Sequence, residues 1–216
     1  MAGIVDEMNK SDKIAYIRKW LDSGSINIFG LPFAGKNTQG QRLADLFDAP
    51  LLGSGDILRS ADMPKYIKKL HTTGKLFPTD VYLKLVLPYL SQRDFAGRPL
   101  VLSSFGRWHG EEAGVLEAIS AAGHPLRAVI FLNINEDTVW KRWGEADLEK
   151  DRGLRDDDSY ETLQVRLDEF REKTLPVIQF YKDQGLLIEL DGDYETDVMT
   201  EKIIDSLFTY AQNAQS

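Results

Sequence analysis

The sequence contains no cysteine among its 216 residues. That absence excludes disulfide bonds and thiolate metal sites, and it is compatible with a reducing compartment. No apolar run approaches the roughly 18 residues that a membrane span requires. The first residues show no basic segment followed by an apolar one, the pattern of a secretory signal. These absences predict a soluble, cytoplasmic protein that does not associate with membranes.

Basic residues are scarce relative to acidic ones. The chain has 26 Lys and Arg against 34 Asp and Glu, a formal net charge of -8, so general nucleic-acid binding is not expected. The sequence also lacks internal repeats and low-complexity segments. Its length is sufficient to bury a substantial core, either as one domain with insertions or as two small domains.

A glycine-rich turn lies between an apolar run and a helical pattern. Gly30 and Gly35 bracket four residues and Lys36 follows, which is the spacing of a phosphate-binding loop. In such a loop, backbone amides and the positive end of the new helix attract phosphate oxygens, and the lysine reaches the outer phosphates. The strict pattern has Ser or Thr after the lysine, whereas here Asn37 follows it and the hydroxyl arrives at Thr38. The alternative is an ordinary strand-to-helix turn with Lys36 as a solvated surface charge.

Strand patterns alternate with helix patterns along the chain, which predicts an α/β fold with a doubly wound parallel sheet of about five strands. The expected strands are 26–29, 50–52, 98–103, 127–132 and 185–190. The expected helices are 11–22 (capped by Ser11), 41–47, 111–122, 137–143, 161–183 and 195–213, with residues 56–92 also helical and 144–158 a polar loop. Ligands are expected beyond the carboxyl ends of the strands.

Six basic residues fall where a strand or helix terminus could face the glycine-rich loop. They are Lys36, Arg59, Arg107, Arg142, Arg155 and Arg166. Phosphoryl transfer requires several fixed cations around a group whose negative charge is spread over its oxygens. Arginine suits this task because its planar fork binds two oxygens at once. Any one of these residues alone is more often a solvated ion-pair partner, so the prediction depends on the set.

Five ordered motifs resemble those of the adenylate kinases and related nucleoside monophosphate kinases. They are residues 30–39 (the family's G-x-P-G-x-G-K-G-T-Q), 54–59 ((S/T)-G-D-x-L-R), 74–78 (G-x-L-V-P), 105–107 (the end of D-G-F-P-R) and 155–167 (R-x-D-D…E-T…R-L). The resemblance covers about residues 26–192. It implies a P-loop NTPase-type fold and reversible phosphoryl transfer from Mg-ATP to a nucleoside monophosphate (NMP), giving two diphosphates.

The resemblance also implies roles for individual residues. The implied ATP-binding residues are Gly30, Pro32, Phe33, Ala34, Gly35, Lys36, Asn37, Thr38, Gln39 and Arg142, with Thr38 contacting Mg²⁺ and Arg142 stacking on the donor base. The implied NMP-binding residues are Ser54, Arg59, Lys75, Phe77, Ser104, Arg107, Glu111, Arg155 and Arg166. The implied catalytic residues are Lys36, Arg107, Arg155 and Arg166.

The same resemblance suggests how the chain is divided. Residues 1–24 form an N-terminal helical extension, and residues 25–216 form a single nucleoside monophosphate kinase-like domain that acts as a monomer. Within it, the core comprises 25–55, 93–143 and 159–216, a helical NMP-binding insert spans 56–92, and a short lid spans 144–158. The lid is too short and too poor in cysteine for the zinc-bearing version.

Four residues, two in the glycine-rich loop and two just before Phe105, depart from the family pattern. Phe33 and Asn37 replace two loop glycines, and phenylalanine tolerates left-handed backbone poorly, which predicts a reshaped loop. Ser103 and Ser104 replace an Asp-Gly pair. That aspartate usually orders water on magnesium, and losing such a partner typically costs about 10–100-fold. These changes leave open an alternative, a nucleotide-binding protein on the same scaffold with weak or lost kinase activity.

Glu111 stands where the family has the glutamine that reads the acceptor base. An ionised glutamate only accepts hydrogen bonds, so it fits the N–H donors of guanine or the amino group of cytosine and repels the ring acceptor of adenine. One hypothesis is therefore a base preference shifted away from adenine. The other is a glutamate displaced to solvent by a local rearrangement. A kinase with a non-nucleotide acceptor is disfavoured, because the motifs at 54–59 and 155–166 serve a second phosphate.

Overall fold

A computed structural model describes most of the chain. The described residues are 8–55, 57, 73–76, 82, 84, 86–149 and 159–214. Three predicted site residues, Arg59, Phe77 and Arg155, lie outside them, as do most of the predicted helical insert and much of the predicted lid. Within the described ranges, no helix is both long enough and apolar enough to cross a membrane.

The described residues contain one sheet of five parallel strands in the order β2-β3-β1-β4-β5. The strands are β1 Ser25–Gly30, β2 Leu51–Gly53, β3 Leu100–Ser103, β4 Leu126–Asn133 and β5 Leu187–Asp191. Ile28 of β1 pairs with Ser103 on one side and Ile130 on the other. Every residue of β1 is buried, as expected for a central parallel strand covered on both faces. The predicted doubly wound α/β fold is confirmed.

Helices accompany the sheet along the chain. They are α1 Lys10–Leu21, α2 Lys36–Phe47, α3 Glu112–Ala121, α4 Glu136–Glu149, α5 Tyr160–Glu169, α6 Leu175–Asp183 and α7 Thr196–Asn213. A π-helical turn, Phe170–Thr174, joins α5 to α6, and short 3₁₀ turns occupy Leu87–Ser91 and Arg93–Phe95. The helices predicted at 11–22, 111–122 and 195–213 are confirmed.

Two local predictions were wrong. Asn9 caps α1 instead of Ser11, because its Oδ1 accepts a hydrogen bond from the Asp12 amide at 3.0 Å. The helix expected to end at Trp143 continues to Glu149. A glycine inside a helix costs about 1 kcal/mol, and the favourable helix formers that follow Gly144 offset this cost.

Helix α1 belongs to the same hydrophobic core as the sheet. Ile17 and Leu21 are fully buried there, and the Trp20 ring contacts the Tyr210 ring of α7 edge to face, with centroids 5.9 Å apart. The first helix therefore packs on the last one. The division of the chain at residue 24 stays a prediction.

Asn27 is a buried polar residue in the middle of β1. Its Nδ2 donates to the Phe105 carbonyl at 2.9 Å, and its Oδ1 accepts from the Phe105 amide at 3.2 Å. The Ser104 amide also donates to the Ile28 carbonyl at 3.0 Å. These bonds continue the pairing of β1 and β3 past the end of β3, so they fix the turn that leads to Arg107.

Replacing this amide should destabilise the protein. Asn27→Leu leaves the buried Phe105 amide and carbonyl without their partner, and each unmade bond costs about 1–3 kcal/mol. We expect the free energy of unfolding, measured by urea denaturation, to fall by about 2 kcal/mol or more. Asn133→Leu is the matched control, since Asn133 is exposed at the end of β4. Equal stability of the two variants would contradict this role for Asn27.

Candidate active site

The loop between β1 and α2 depends on two glycines. A Cβ on Gly30 would lie 2.8 Å from the Leu132 carbonyl oxygen, so the end of β1 approaches β4 too closely for a side chain. Gly35 has φ +83°, precedes the first turn of α2, and has open space where a Cβ would be. The amino-terminal end of α2 is therefore accessible, and helix amino termini attract anions.

Phe33 adopts the left-handed conformation that the sequence predicts to be unfavourable for it, with φ 62°. For an L-residue this conformation costs about 1–2 kcal/mol. The side chain is only 8% exposed, and burial of a Phe side chain contributes about 1.5–3 kcal/mol. Burial thus offsets the backbone strain, and the strand–turn–helix path is kept. Pro32 and Ala34 are also buried in this loop.

The first residues of α2 face the loop and β3. The Lys36 ammonium donates to the Leu31 carbonyl at 2.7 Å, so it lies over the loop itself. The Ser103 hydroxyl donates to Asn37 Oδ1 at 3.3 Å. Two of the residues that depart from the family pattern are therefore partners of each other. Thr38 is exposed on the same helical turn.

The side chain of Gln39 is buried and makes hydrogen bonds to residues of α7. It is 2% exposed; its Nε2 donates to the Thr196 carbonyl at 2.9 Å, and its Oε1 accepts from the Thr200 hydroxyl at 2.8 Å. Both ends of the amide therefore hold α2 against α7. This side chain has little remaining capacity to bind a ligand.

A cleft of about 370 Å³ opens beside the glycine-rich loop. It is lined by Phe33, Ala34, Gly35, Thr38 and Gln39 from the loop and α2, by Thr138, Lys141, Arg142 and Glu145 from α4, and by Gly192–Thr196 and Met199 from the segment after β5 and from α7. Arg142 crosses this cleft. It donates to the Phe33 carbonyl, the Gly192 carbonyl and an Asp193 carboxylate oxygen, each at 3.2 Å.

The turn after β5 was missed by the sequence reasoning. Gly192, Asp193 and Tyr194 line the cleft, and the first two hold Arg142 in place. A signal was available, since this turn follows the carboxyl end of a predicted strand, where ligands bind in open α/β sheets.

A second group of predicted residues lies beyond β2 and β3. The buried Ser54 hydroxyl donates to the Ser104 carbonyl at 2.8 Å, and Ser104 has φ 59°. Arg107 follows this turn and is close enough to Arg166 of α5 for the two charges to interact. Burial, followed by the positive charge of Arg166, lowers the pKa of Arg107 to about 10, against the opposite effect of Glu169. Two half-buried cations close to each other favour a bound anion.

Glu111 is buried, with only 5% of its surface exposed. The hypothesis that it is displaced to solvent is therefore wrong. It lies near Tyr82, whose hydroxyl accepts from the Gly106 amide at 2.8 Å. Burial raises the pKa of the Tyr82 phenol, and the charge of Glu111 raises it further. Lys75, by contrast, is exposed.

Comparison with known proteins identifies the family of this chain. Residues 28–186, well over half of the chain, match the family model described as adenylate kinase. The chain belongs to the adenylate kinase family.

Adenylate kinases from several bacteria are similar to this chain over most of their length. That of Agrobacterium fabrum is 32% identical over 182 residues, covering 81% of this chain and 92% of the relative. That of Xanthomonas euvesicatoria is 32% identical over 186 residues, covering 83% and 97%. The adenylate kinase of Parvibaculum lavamentivorans is 31% identical over 181 residues, covering 82% and 88%. These likenesses support a kinase that carries out nucleotide phosphotransfer.

In this adenylate kinase family member, the left-handed backbone of Phe33 can be tested by substitution. Phe33→Gly should be more stable than Phe33→Ala by about 0.5–1 kcal/mol. Glycine relieves the left-handed strain of about 1–2 kcal/mol, while its larger chain entropy costs about 0.5–1 kcal/mol. Urea denaturation of both variants measures the difference.

Phe47 provides the control, because it is fully buried and lies in helix α2. There, alanine should be more stable than glycine by about 1 kcal/mol. The order of the two variants should therefore reverse between positions 33 and 47. A more stable alanine variant at both positions would show that Phe33 is not strained.

Proposed function

We propose that this chain transfers the terminal phosphoryl group of Mg-ATP to a nucleoside monophosphate, giving two diphosphates. The observation that carries the proposal is the arrangement at the carboxyl edge of the sheet. An accessible helix terminus with Lys36 follows β1, and the mutually repelling Arg107 and Arg166 lie beyond β3 and on α5. Phosphate groups on both substrates would neutralise these charges.

ATP would occupy the cleft beside the loop. Its phosphates would accept from the amides around Gly35, and the Lys36 ammonium would exchange the Leu31 carbonyl for a phosphate oxygen. The base would lie against Arg142, whose guanidinium is held on three sides by the Phe33, Gly192 and Asp193 oxygens. A fixed planar guanidinium stacks on a base with little further loss of entropy.

The acceptor would occupy the second group of residues. Arg107 and Arg166 would bind its phosphate through their paired N–H donors. Ser54 and Ser104 shape the turn beneath it, and Lys75 lies in the segment 73–76, whose Gly74 packs against Arg166. We place Arg59, Phe77 and Arg155 in the same subsite on the family resemblance.

The residues around Thr38 are compatible with magnesium. This ion is usually held by one or two protein ligands, substrate phosphates and several waters, and Thr38 lines the cleft where the phosphates would lie. When bound, Mg²⁺ neutralises charge on the transferring phosphates. Ser103 and Asn37 offer neutral oxygens nearby, where the family pattern has an aspartate.

In this reaction the protein positions the two substrates and forms no covalent bond to the transferred group. An oxygen of the acceptor phosphate attacks the terminal phosphorus of ATP, a bond to that phosphorus forms, and the bond to the bridging oxygen breaks as ADP leaves. Lys36, Arg107 and Arg166, with Arg155, would stabilise the charge on the transferred group. Glu111, buried near Tyr82, would favour a base that offers N–H donors.

A nucleotide-binding protein with weak or lost kinase activity is the second candidate. The contact between Ser103 and Asn37 favours it, because it replaces an acidic group beside the phosphates with two neutral ones. Both candidates bind ATP, but only the first turns over a monophosphate.

A coupled kinase assay with Mg-ATP and AMP, GMP, CMP or UMP distinguishes the two candidates. We expect turnover with at least one monophosphate and, if Glu111 reads the base, faster turnover with GMP or CMP than with AMP. Lys36→Met should lower kcat by about 10²–10³-fold, the usual effect of removing one group that stabilises transition-state charge.

The control is Lys182→Met, since Lys182 is exposed and pairs only loosely with Glu189 at 3.7 Å. It should leave kcat unchanged. ATP binding without turnover of any of the four monophosphates would favour the second candidate. A clear preference for AMP would contradict the role given to Glu111.

A further inference from the structure

The π-helical turn Phe170–Thr174 connects two parts of the acceptor side. Its last residue, Thr174, donates from its hydroxyl to the Arg107 carbonyl at 3.0 Å. The Lys173 carbonyl accepts from the His109 amide at 3.1 Å. The turn thus holds the segment that carries Arg107 from both sides. π-helical turns are rare and occur often at functional sites.

The residue before this turn, Glu169, reaches a different segment. Its Oε2 accepts from the Leu76 amide at 3.0 Å, and the carboxylate as a whole is bound by the Lys173 ammonium at 2.9 and 2.8 Å. Glu169 is only 9% exposed. A carboxylate buried to this degree needs a cationic partner and hydrogen bonds, and this one has both.

Lys173 has a second contact. Its ammonium lies 3.9 Å from the centre of the Trp108 ring, the residue after Arg107. Attraction between a cation and an aromatic face contributes about 0.5–2 kcal/mol. One lysine therefore joins the carboxylate that holds Leu76 to the aromatic ring next to Arg107.

The chain at 73–76 lies directly against α5. Gly74 has φ +78°, and a Cβ there would lie 2.8 Å from the Thr162 carbonyl oxygen and 2.9 Å from Arg166 Cγ. The position of this segment therefore determines the space beside Arg166. The Glu169 charge also acts on Arg107, whose pKa it raises against the larger effects of burial and Arg166.

We propose that Glu169 and Lys173 are a positioning pair that locks residues 73–76 to the Arg107–His109 segment and so sets the acceptor subsite. The pair touches no reacting atom. This inference rests on the proposed function, since the acceptor is the substrate whose binding it affects. Without the pair, residues 73–76 and Arg107 keep their other contacts, but their positions relative to each other are no longer fixed.

The kinetic test is Glu169→Gln, which keeps the shape of the side chain and removes its charge. We expect the KM for the monophosphate to rise about tenfold while the KM for Mg-ATP stays within about twofold. A factor of ten corresponds to about 1.4 kcal/mol, near the contribution of a hydrogen bond to a charged group. Lys173→Met should have the same direction of effect, and Lys173→Arg, which keeps both contacts, should restore wild-type behaviour.

Glu172→Gln is the matched control, because Glu172 is an exposed glutamate of the same turn. It should leave both KM values unchanged. An equal rise in both KM values for Glu169→Gln, or none in either, overturns the inference.

A second readout does not depend on activity. The Leu76 amide, bonded to Glu169, should exchange its hydrogen several-fold faster in Glu169→Gln than in Glu172→Gln, as measured by NMR or mass spectrometry. Unchanged exchange overturns the inference. If the wild-type chain turns over no monophosphate, the proposed function fails, and the exchange rate alone decides whether the pair holds residues 73–76.

Discussion

The hydrogen bonds between Asn27 and the backbone of Phe105 are the constraint on which the candidate active site depends. They lie inside a parallel sheet in which the carboxyl ends of the strands share one edge. On β1 this edge leads to the glycine-rich loop, and on β3 it leads to Arg107. Because Asn27 is fully buried, its hydrogen bonds to Phe105 are shielded from solvent. The glycine-rich loop and the turn that leads to Arg107 are thereby set relative to each other by the core.

Fixed positive charge at the carboxyl edge of the sheet determines which ligands can bind there. Burial lowers the pKa of Arg107 to about 10, and the positive charge of Arg166 adds to this effect. The surrounding contacts hold that charge in place: Thr174 binds the Arg107 carbonyl, and Glu169 with Lys173 fastens the neighbouring segment. Such preorganisation suits phosphoryl transfer, in which stabilisation of spread negative charge provides most of the catalysis.

Local patterns in the sequence were sufficient for the parallel sheet, most helix positions and the loop around Gly35, because strand, turn and helix signals are short-range. Such local patterns carry little information about contacts between residues that are distant in the sequence. Burial of Glu111 and the hold of the Gly192–Asp193 turn on Arg142 are tertiary effects that no spacing reveals. The conformation of Phe33 shows the same limit, since its strain is tolerated only because the surrounding core buries the ring.

The central claim is that one cleft gathers two phosphorylated molecules between the loop and the arginines. A crystal structure with two nucleosides joined by a chain of five phosphates would test it most directly. We expect one base against Arg142 and a phosphate chain that passes the amino terminus of α2 to within hydrogen-bond distance of both Arg107 and Arg166. A ligand bound only at the loop, with its second nucleoside in solvent and Arg107 turned away, would contradict the claim.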